Sequence, residues 1–316
     1  MKLALVVVLI VGLAAVPKVV SPYYVTVLLP AIAYSIALLG FNLLFGYTGL
    51  LSFGHALFVA VGAYSAAVLS AKLGVKSFEL VLLISAAVSV AAAVPVALLS
   101  VRYVRIFFGI LTLAFGMLFH SFLFKFYDIT GGDTGLRVLR PSLFGRDFAE
   151  LDKTSFLVGP FYYYCLALLV VLGFVMWRIV HSPFGLHLMA AREQPRKAEY
   201  LGVRVRFVRF LAFLISAFYC AVGGVILAIN TGQADPELAY WTHSGDLVFM
   251  TVLGGFASFF GPIVGAFSFV MLKGQLMGLT DYWRFFLGAL LAVMVVAFPR
   301  GLVGVGQQIW TKARAR

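Results

Sequence analysis

The stretch Asp246 to Leu279, DLVFMTVLGGFASFFGPIVGAFSFVMLKGQLMGL, is apolar for 34 residues. A helix needs about 20 residues to cross the hydrocarbon core of a bilayer. This run is too long for one crossing, and Gly254, Gly255, Gly261 and Pro262 interrupt its middle. The spacing therefore predicts two short helices of about 14–18 residues, joined near Gly255–Gly261. Working outward, further apolar runs lie at 3–20, 23–46, 49–71, 78–101, 105–124, 159–178, 207–230 and 282–298. No alternation of about ten residues recurs, which argues against a transmembrane barrel. The chain reads as an all-α polytopic membrane protein with broken or re-entrant helices, a single transmembrane domain over 1–316.

Composition agrees. Hydrophobic residues make up 63% of the chain and charged residues 11%, against roughly 25% charged in soluble domains. That excludes a soluble enzyme, a nucleic-acid-binding domain, a disordered chain and a secreted disulfide scaffold. The net charge of +12 reads as a topology signal. The segment 178–209, the 101–105 link, the N-terminus and the tail together carry 14 basic and 2 acidic residues, and the remaining segments carry 10 of each. By the positive-inside rule the first set is cytoplasmic. With both termini inside, parity requires two crossings from 246–279, giving about ten transmembrane helices. On this count 181–206 is a cytoplasmic loop and 125–158 a periplasmic one. Residues 1–16 also resemble a signal peptide, whose removal would leave later orientations unchanged. Cys165 and Cys220 lie within spans and read as small apolar fillers.

Charges inside a bilayer cost about 2.5–3.5 kcal/mol at a helix centre and mark ion or proton pathways. Glu79, Arg105, Lys125, Arg209, Asp246 and Arg284 read as span-end residues, with Lys273 about two turns from an outer end. No carboxylate is expected at mid-depth, which argues against a self-contained proton- or sodium-coupled transporter or channel. His55 and His120 are the mid-span titratable groups, read either as neutral imidazoles satisfied by a neighbouring helix or as lining residues. No metal site is expected. Ser85, Ser89, Ala93 and Ala97 form a small-residue stripe suited to close helix packing.

The segment 181–206 carries the richest local signals. Ser182-Pro183 is a helix start, Pro195 should end or kink that helix, and Gly202 is a helix stop. The resulting basic, partly amphipathic element reads either as an interfacial helix on anionic lipid or as a docking element for a soluble partner.

In this segment Ser182-Pro183-Phe184-Gly185, Ala191-Arg192-Glu193 and Ala198-Glu199-Tyr200-Leu201-Gly202 resemble the coupling loop of permeases in the branched-chain amino acid ABC importer family, of the LivM type. Gly46-Tyr47-Thr48-Gly49-Leu50-Leu51-Ser52-Phe53-Gly54-His55 resembles its early glycine-rich span. Thr130-Gly131-Gly132-Asp133-Thr134-Gly135-Leu136 resembles its periplasmic loop, Leu253-Gly254-Gly255 with Gly261-Pro262 its late broken span, and Phe298-Pro299-Arg300-Gly301-Leu302 its terminus. The resemblance runs from about residue 30 to 305. It implies a permease subunit of the bacterial inner membrane with no catalytic residues and no bound cofactor, ATP and Mg being held by partners. It further implies a second homologous permease, two ATP-binding subunits, a periplasmic solute-binding protein and membrane lipid as partners, and no nucleic acid. Arg192, Glu193, Ala198, Glu199 and Gly202 would couple to the ATPases; Ser52, Gly54, His55 and Thr112 would border the translocation path; Gly131, Gly132 and Asp133 belong to the periplasmic loop. The resemblance implies branched-chain amino acids or a related small polar solute as cargo; urea, short-amide and aromatic-acid importers share this permease type and are the alternatives.

Overall fold

The computed structural model describes residues 2–103, 106–148, 150–297 and 301–304. Arg105, residues 298–300 and the basic tail from 305 lie outside the described residues. Helices α1 (Lys2–Val19) and α2 (Pro22–Asn42) come first, and α2 continues as a π-helical turn over Leu43–Tyr47. Helix α3 (Ala56–Ala67) likewise ends in a π turn, Val68–Lys72. Helices α4 (Phe78–Ser100), α5 (Ile106–Lys125) and the short α6 (Tyr127–Thr130) precede strand β1 (Leu136–Arg137). Then come α7 (Lys153–Phe156), α8 (Tyr162–Val180), the pair α9 (Pro183–Glu193) and α10 (Pro195–Tyr200), and α11 (Val205–Thr231). Strand β2 (Gln233–Ala234), α12 (Trp241–Gly254), α13 (Gly261–Leu279) and α14 (Trp283–Ala297) complete the order.

Among the described residues, six helices are long and apolar enough to cross a membrane, beside shorter apolar helices at Ala56–Lys72 and Trp283–Met294. The chain is thus polytopic and all-α. Its centre is α2 and α11, whose most apolar windows are 83% and 72% buried, whereas the other four lie between 22% and 39%. These outer helices turn apolar faces outward, as lipid-facing helices do. The small-residue stripe of α4 is fully buried, and the Ser89 hydroxyl donates to the Ala217 carbonyl of α11 at 3.2 Å.

Two departures from continuous helix position the site. The break in 246–279 falls where its glycines place it, between Gly254 and Gly261. The run 49–71, in contrast, is not one helix: residues 49–55 are non-helical and α3 begins only at Ala56. Helix α12 also starts earlier than its apolar run suggests, at Trp241, so Asp246 lies in its second turn.

The bundle has two dissimilar ends. At one, α9–α10, the 48–55 segment and the 255–260 break come together. At the other, β1 pairs antiparallel with β2, Lys72 Nζ donates to the Asp128 and Ile129 carbonyls at 3.0 and 2.9 Å, and Lys153 Nζ donates to the Thr231 carbonyl at 3.0 Å.

Candidate functional site

The 48–55 segment is held inside the bundle by its own polar groups. The Ser52 hydroxyl lies 2.7 Å from His55 Nδ1 and accepts from the Gly54 amide at 3.3 Å. Three rings meet the imidazole edge-on: Phe41 at 5.4 Å, Phe58 at 5.2 Å and Phe213 at 5.1 Å. His55 Nε2 is buried without a partner among the described residues. Gly54 presses so closely on α5 that a β-carbon there would overlap the Thr112 carbonyl. The Thr112 hydroxyl is satisfied within α5, donating to the Phe108 and Gly109 carbonyls at 2.9 Å each. The structure therefore brings Ser52, Gly54, His55 and Thr112 together, and the three polar ones are all buried. His120 stands apart, with its ring 5.0 Å from Tyr240 and its Nε2 unpartnered among the described residues.

The first turn of α3 meets the first turn of α12: the Ala56 amide donates to the Ser244 hydroxyl at 3.0 Å. Helix α3 thus starts inside the bundle, whereas α12 starts on exposed Trp241 and Thr242 and is buried at Ser244. The neighbouring His243 ring is 5.7 Å from Tyr34. Tyr34 lies about 18–20 Å from either end of the helical stretch Pro22–Tyr47 at 1.5 Å per residue. Asp246 is half-buried in the second turn of α12, not at its end.

The basic helix pair is built as its residues require. Pro183 takes the first turn of α9, while Ser182 makes no side-chain cap and its hydroxyl donates back to the Ile179 carbonyl at 2.7 Å. Gln194 is non-helical before Pro195, and α10 restarts on that proline. Gly202 then ends the pair at φ 87°, a left-handed conformation that favours glycine. Ala191, Ala198 and Val205 are buried together, and Arg209 donates to the Ala191 carbonyl at 3.1 Å.

Arg192 reaches inward from this pair. Its guanidinium donates to the Gly46 carbonyl and lies 6.0 Å from the Phe256 ring centre. Its Cγ is 3.0 Å from where a Gly49 β-carbon would stand. One side chain thus touches both breaks, which meet each other as well: the Phe45 and Phe256 rings are 5.1 Å apart. Of the residues that the family resemblance assigns to coupling, Arg192, Glu193 and Glu199 are exposed and Ala198 is buried; Arg192 also pairs with the Glu193 carboxylate at 3.7 Å. Tyr200 and Leu201, two large apolar residues directly before the helix-stop glycine, are 89% and 85% exposed.

At the opposite end, Gly131 and Gly132 shape the turn between α6 and β1, Gly132 against Tyr127, and Asp133 is exposed. The Gln233 side-chain amide donates to the Thr134 carbonyl, tying the 125–158 loop to the segment before α12. The amides of Thr154 and Lys153 hold the Asp152 carboxyl, at the start of α7, below the usual range.

The family described as branched-chain amino acid transport system, permease component, matches residues 23–295. The high-affinity branched-chain amino acid transport system permease protein LivM of Escherichia coli (strain K12) is 31% identical over 96% of this chain and 75% of its own length. LivH of the same organism, with the same description, is 24% identical over 86% of this chain and 91% of its own. The galactose/methyl galactoside import permease protein MglC of Haemophilus influenzae is 24% identical over 63% of the chain and 60% of its own. No solved structure matches.

Proposed function

The chain belongs to the family of permease components of branched-chain amino acid transport systems, and we propose that it works as one half of an ATP-driven importer of branched-chain amino acids. It acts as a transport subunit of the inner membrane. Beside it stands a second, homologous permease; two ATP-binding subunits hold ATP and Mg and hydrolyse the nucleotide; a periplasmic solute-binding protein delivers the cargo. The chain crosses the membrane about ten times with both ends in the cytoplasm, so that α9–α10 and the two breaks face the ATPases and the β1–β2 end faces the binding protein. The net charge of +5 over 178–209 supports this orientation.

The observation that carries the reading is Arg192. A docking element moves a bundle only if something joins it to parts that can rearrange. Here the junction is a charge-assisted hydrogen bond to the end of α2 and a cation–π contact to the α12–α13 turn. Closure of the ATPases would push α9–α10 through exposed Glu193, Glu199, Tyr200 and Leu201. Arg192 would carry that displacement to Gly46 and Phe256. Residues Ser52, Gly54, His55 and Thr112 lie directly behind the first of these and border the path.

Replacing Glu193 by Arg together with Gly202 by Trp tests the docking face. Leucine uptake by the reconstituted complex should fall at least tenfold and co-purification of the ATPases should be lost, while the permease stays monodisperse in detergent. Uptake and ATPase association that both survive would overturn the assignment. A gradient-coupled transporter is the second reading, for which a partly buried carboxylate such as Asp246 would serve. It requires leucine uptake to persist when ATP is depleted and a sodium or proton gradient is kept. Uptake of urea, short amides or aromatic acids in place of leucine would retain the permease and change the cargo.

A further inference from the structure

Helix α9 is fastened to α11 near one end. Arg209 of α11 donates to the Ala191 carbonyl in the last turn of α9, where Leu188 and Ala191 are buried. The other end of α9 leans on α8 instead: Gly185 presses on the Val180 backbone so closely that a β-carbon there would overlap it. Between this first half of α9 and the first two turns of α11 lies a cleft of about 290 Å³. Phe184 and His187 line it from α9, Phe207, Val208 and Leu211 from α11, and Arg204 from the link between the helices. Among the described residues, none that lines the cleft is acidic.

The depth of this cleft in a bilayer follows from helix length. Helix α11 has 27 residues, about 40 Å at 1.5 Å per residue, so it spans the headgroup regions as well as the hydrocarbon core of about 30 Å. Its first turn then lies at headgroup level, and Leu211, about 9 Å along, lies just inside the hydrocarbon. Phe207 is exposed, and Leu211 follows it one turn later on the same face. The cleft therefore runs from a guanidinium at the height of the lipid phosphates to apolar side chains at the height of the first acyl carbons. A soluble subunit, confined to water, meets only the shallow end. A phospholipid matches the whole length, and the cation without a facing acid selects an anionic one. The volume is at the small end of ligand pockets, about 300–1,000 Å³, which suits a headgroup with the start of its chains while the rest of the lipid stays in the bilayer.

We propose that the cleft between α9 and α11 is a site for one anionic phospholipid of the cytoplasmic leaflet. Arg204 and His187 donate to its phosphate oxygens, and Phe184, Phe207 and Leu211 flank the glycerol and the first methylenes. Bound there, the lipid wedges the loose half of α9 against α11, so that the helix pair and the span move as one piece. The proposal rests on α11 spanning the membrane from a cytoplasmic start and on nothing about the cargo.

The test reads lipid contact in the full transport complex, held in phosphatidylcholine nanodiscs. They contain a trace of phosphatidylglycerol with a photoreactive diazirine near the start of one acyl chain. After irradiation, adducts should map to residues 205–211 and to Phe184. A tenfold excess of unlabelled phosphatidylglycerol should lower them at least fivefold, whereas added phosphatidylcholine or free glycerol 3-phosphate should leave them within twofold. Arg204→Ala should lower them at least fivefold and Arg204→Lys less than twofold, with adducts on the outward face of α5 unchanged as the control for folding. Arg196→Ala, which removes a charge from α10 outside the cleft, should have less than a twofold effect. Equal losses for Arg196→Ala and Arg204→Ala would mean diffuse attraction to the basic loop and would overturn the site. So would equal labelling by a phosphatidylcholine probe, full displacement by glycerol 3-phosphate, or adducts that appear only when the ATPases are stripped away. Labelling as expected in a complex that imports no leucine on ATP would sustain the lipid site and overturn the importer reading alone.

Discussion

The two breaks in the bundle are built in opposite ways. The segment 48–55 is mostly enclosed: Gly49 and Phe53 are exposed, but Leu50, Ser52 and His55 are buried. Its turn is tied by the Ser52–His55 and Ser52–Gly54 hydrogen bonds, and Gly54 has the α5 backbone against it. The 255–260 break is closed by backbone contact between glycines, with Gly254 against Gly261 and Gly301 against Gly255. Its residues Ala257 and Phe260 are exposed. The first break is a fixed element held by side chains and the second a compliant one held by its lack of them. Arg192 joins the two, so motion of the α9–α10 pair relative to the core should be taken up mainly in the α12–α13 turn.

This contrast can be broken by substitution. The largest effect is expected at Gly54→Ala, where the added carbon meets fixed backbone. Overpacking of this kind costs about 3 kcal/mol, read as a loss of thermal stability and of monodisperse protein. Gly261→Ala also meets backbone, at the Gly255 carbonyl, but the exposed turn can shift. About 1–2 kcal/mol is expected there, with uptake impaired more than stability. Stability loss at Gly261→Ala equal to that at Gly54→Ala would erase the distinction. Ser52→Ala should be smallest, at about 1 kcal/mol for the lost hydroxyl contacts. No measurable change in melting temperature at that position would mean that the first break is held by packing alone.

Much of this architecture is legible in the sequence, and the exceptions have physical causes. The α12–α13 break is visible because glycine and proline interrupt a run too long for one crossing. The 48–55 break is hidden because Leu50, Leu51 and Phe53 keep the run apolar, so hydropathy reads straight through it. The start of α12 is misplaced for a related reason: the helix begins at Trp241, among the polar residues ahead of the apolar run, so Asp246 falls in its second turn. Ser52, Gly54, His55 and Thr112 are found together because small and polar residues inside a bundle mark close contacts. The contacts of Arg192 with Gly46 and Phe256 are tertiary facts: the side chain is partly exposed, as a basic loop residue is expected to be, and its partners lie far away in the sequence.

The central claim is that Arg192 transmits motion from the ATP-driven side to both breaks. Its most direct test is the number of leucine molecules imported per ATP hydrolysed by the reconstituted complex carrying Arg192→Ala, with Arg192→Lys beside it. The ratio should fall at least tenfold for alanine, with assembly intact and ATP hydrolysis within twofold of wild type. Lysine, which keeps the charge and loses the planar fork, should fall between. A wild-type ratio in the alanine variant would contradict the account.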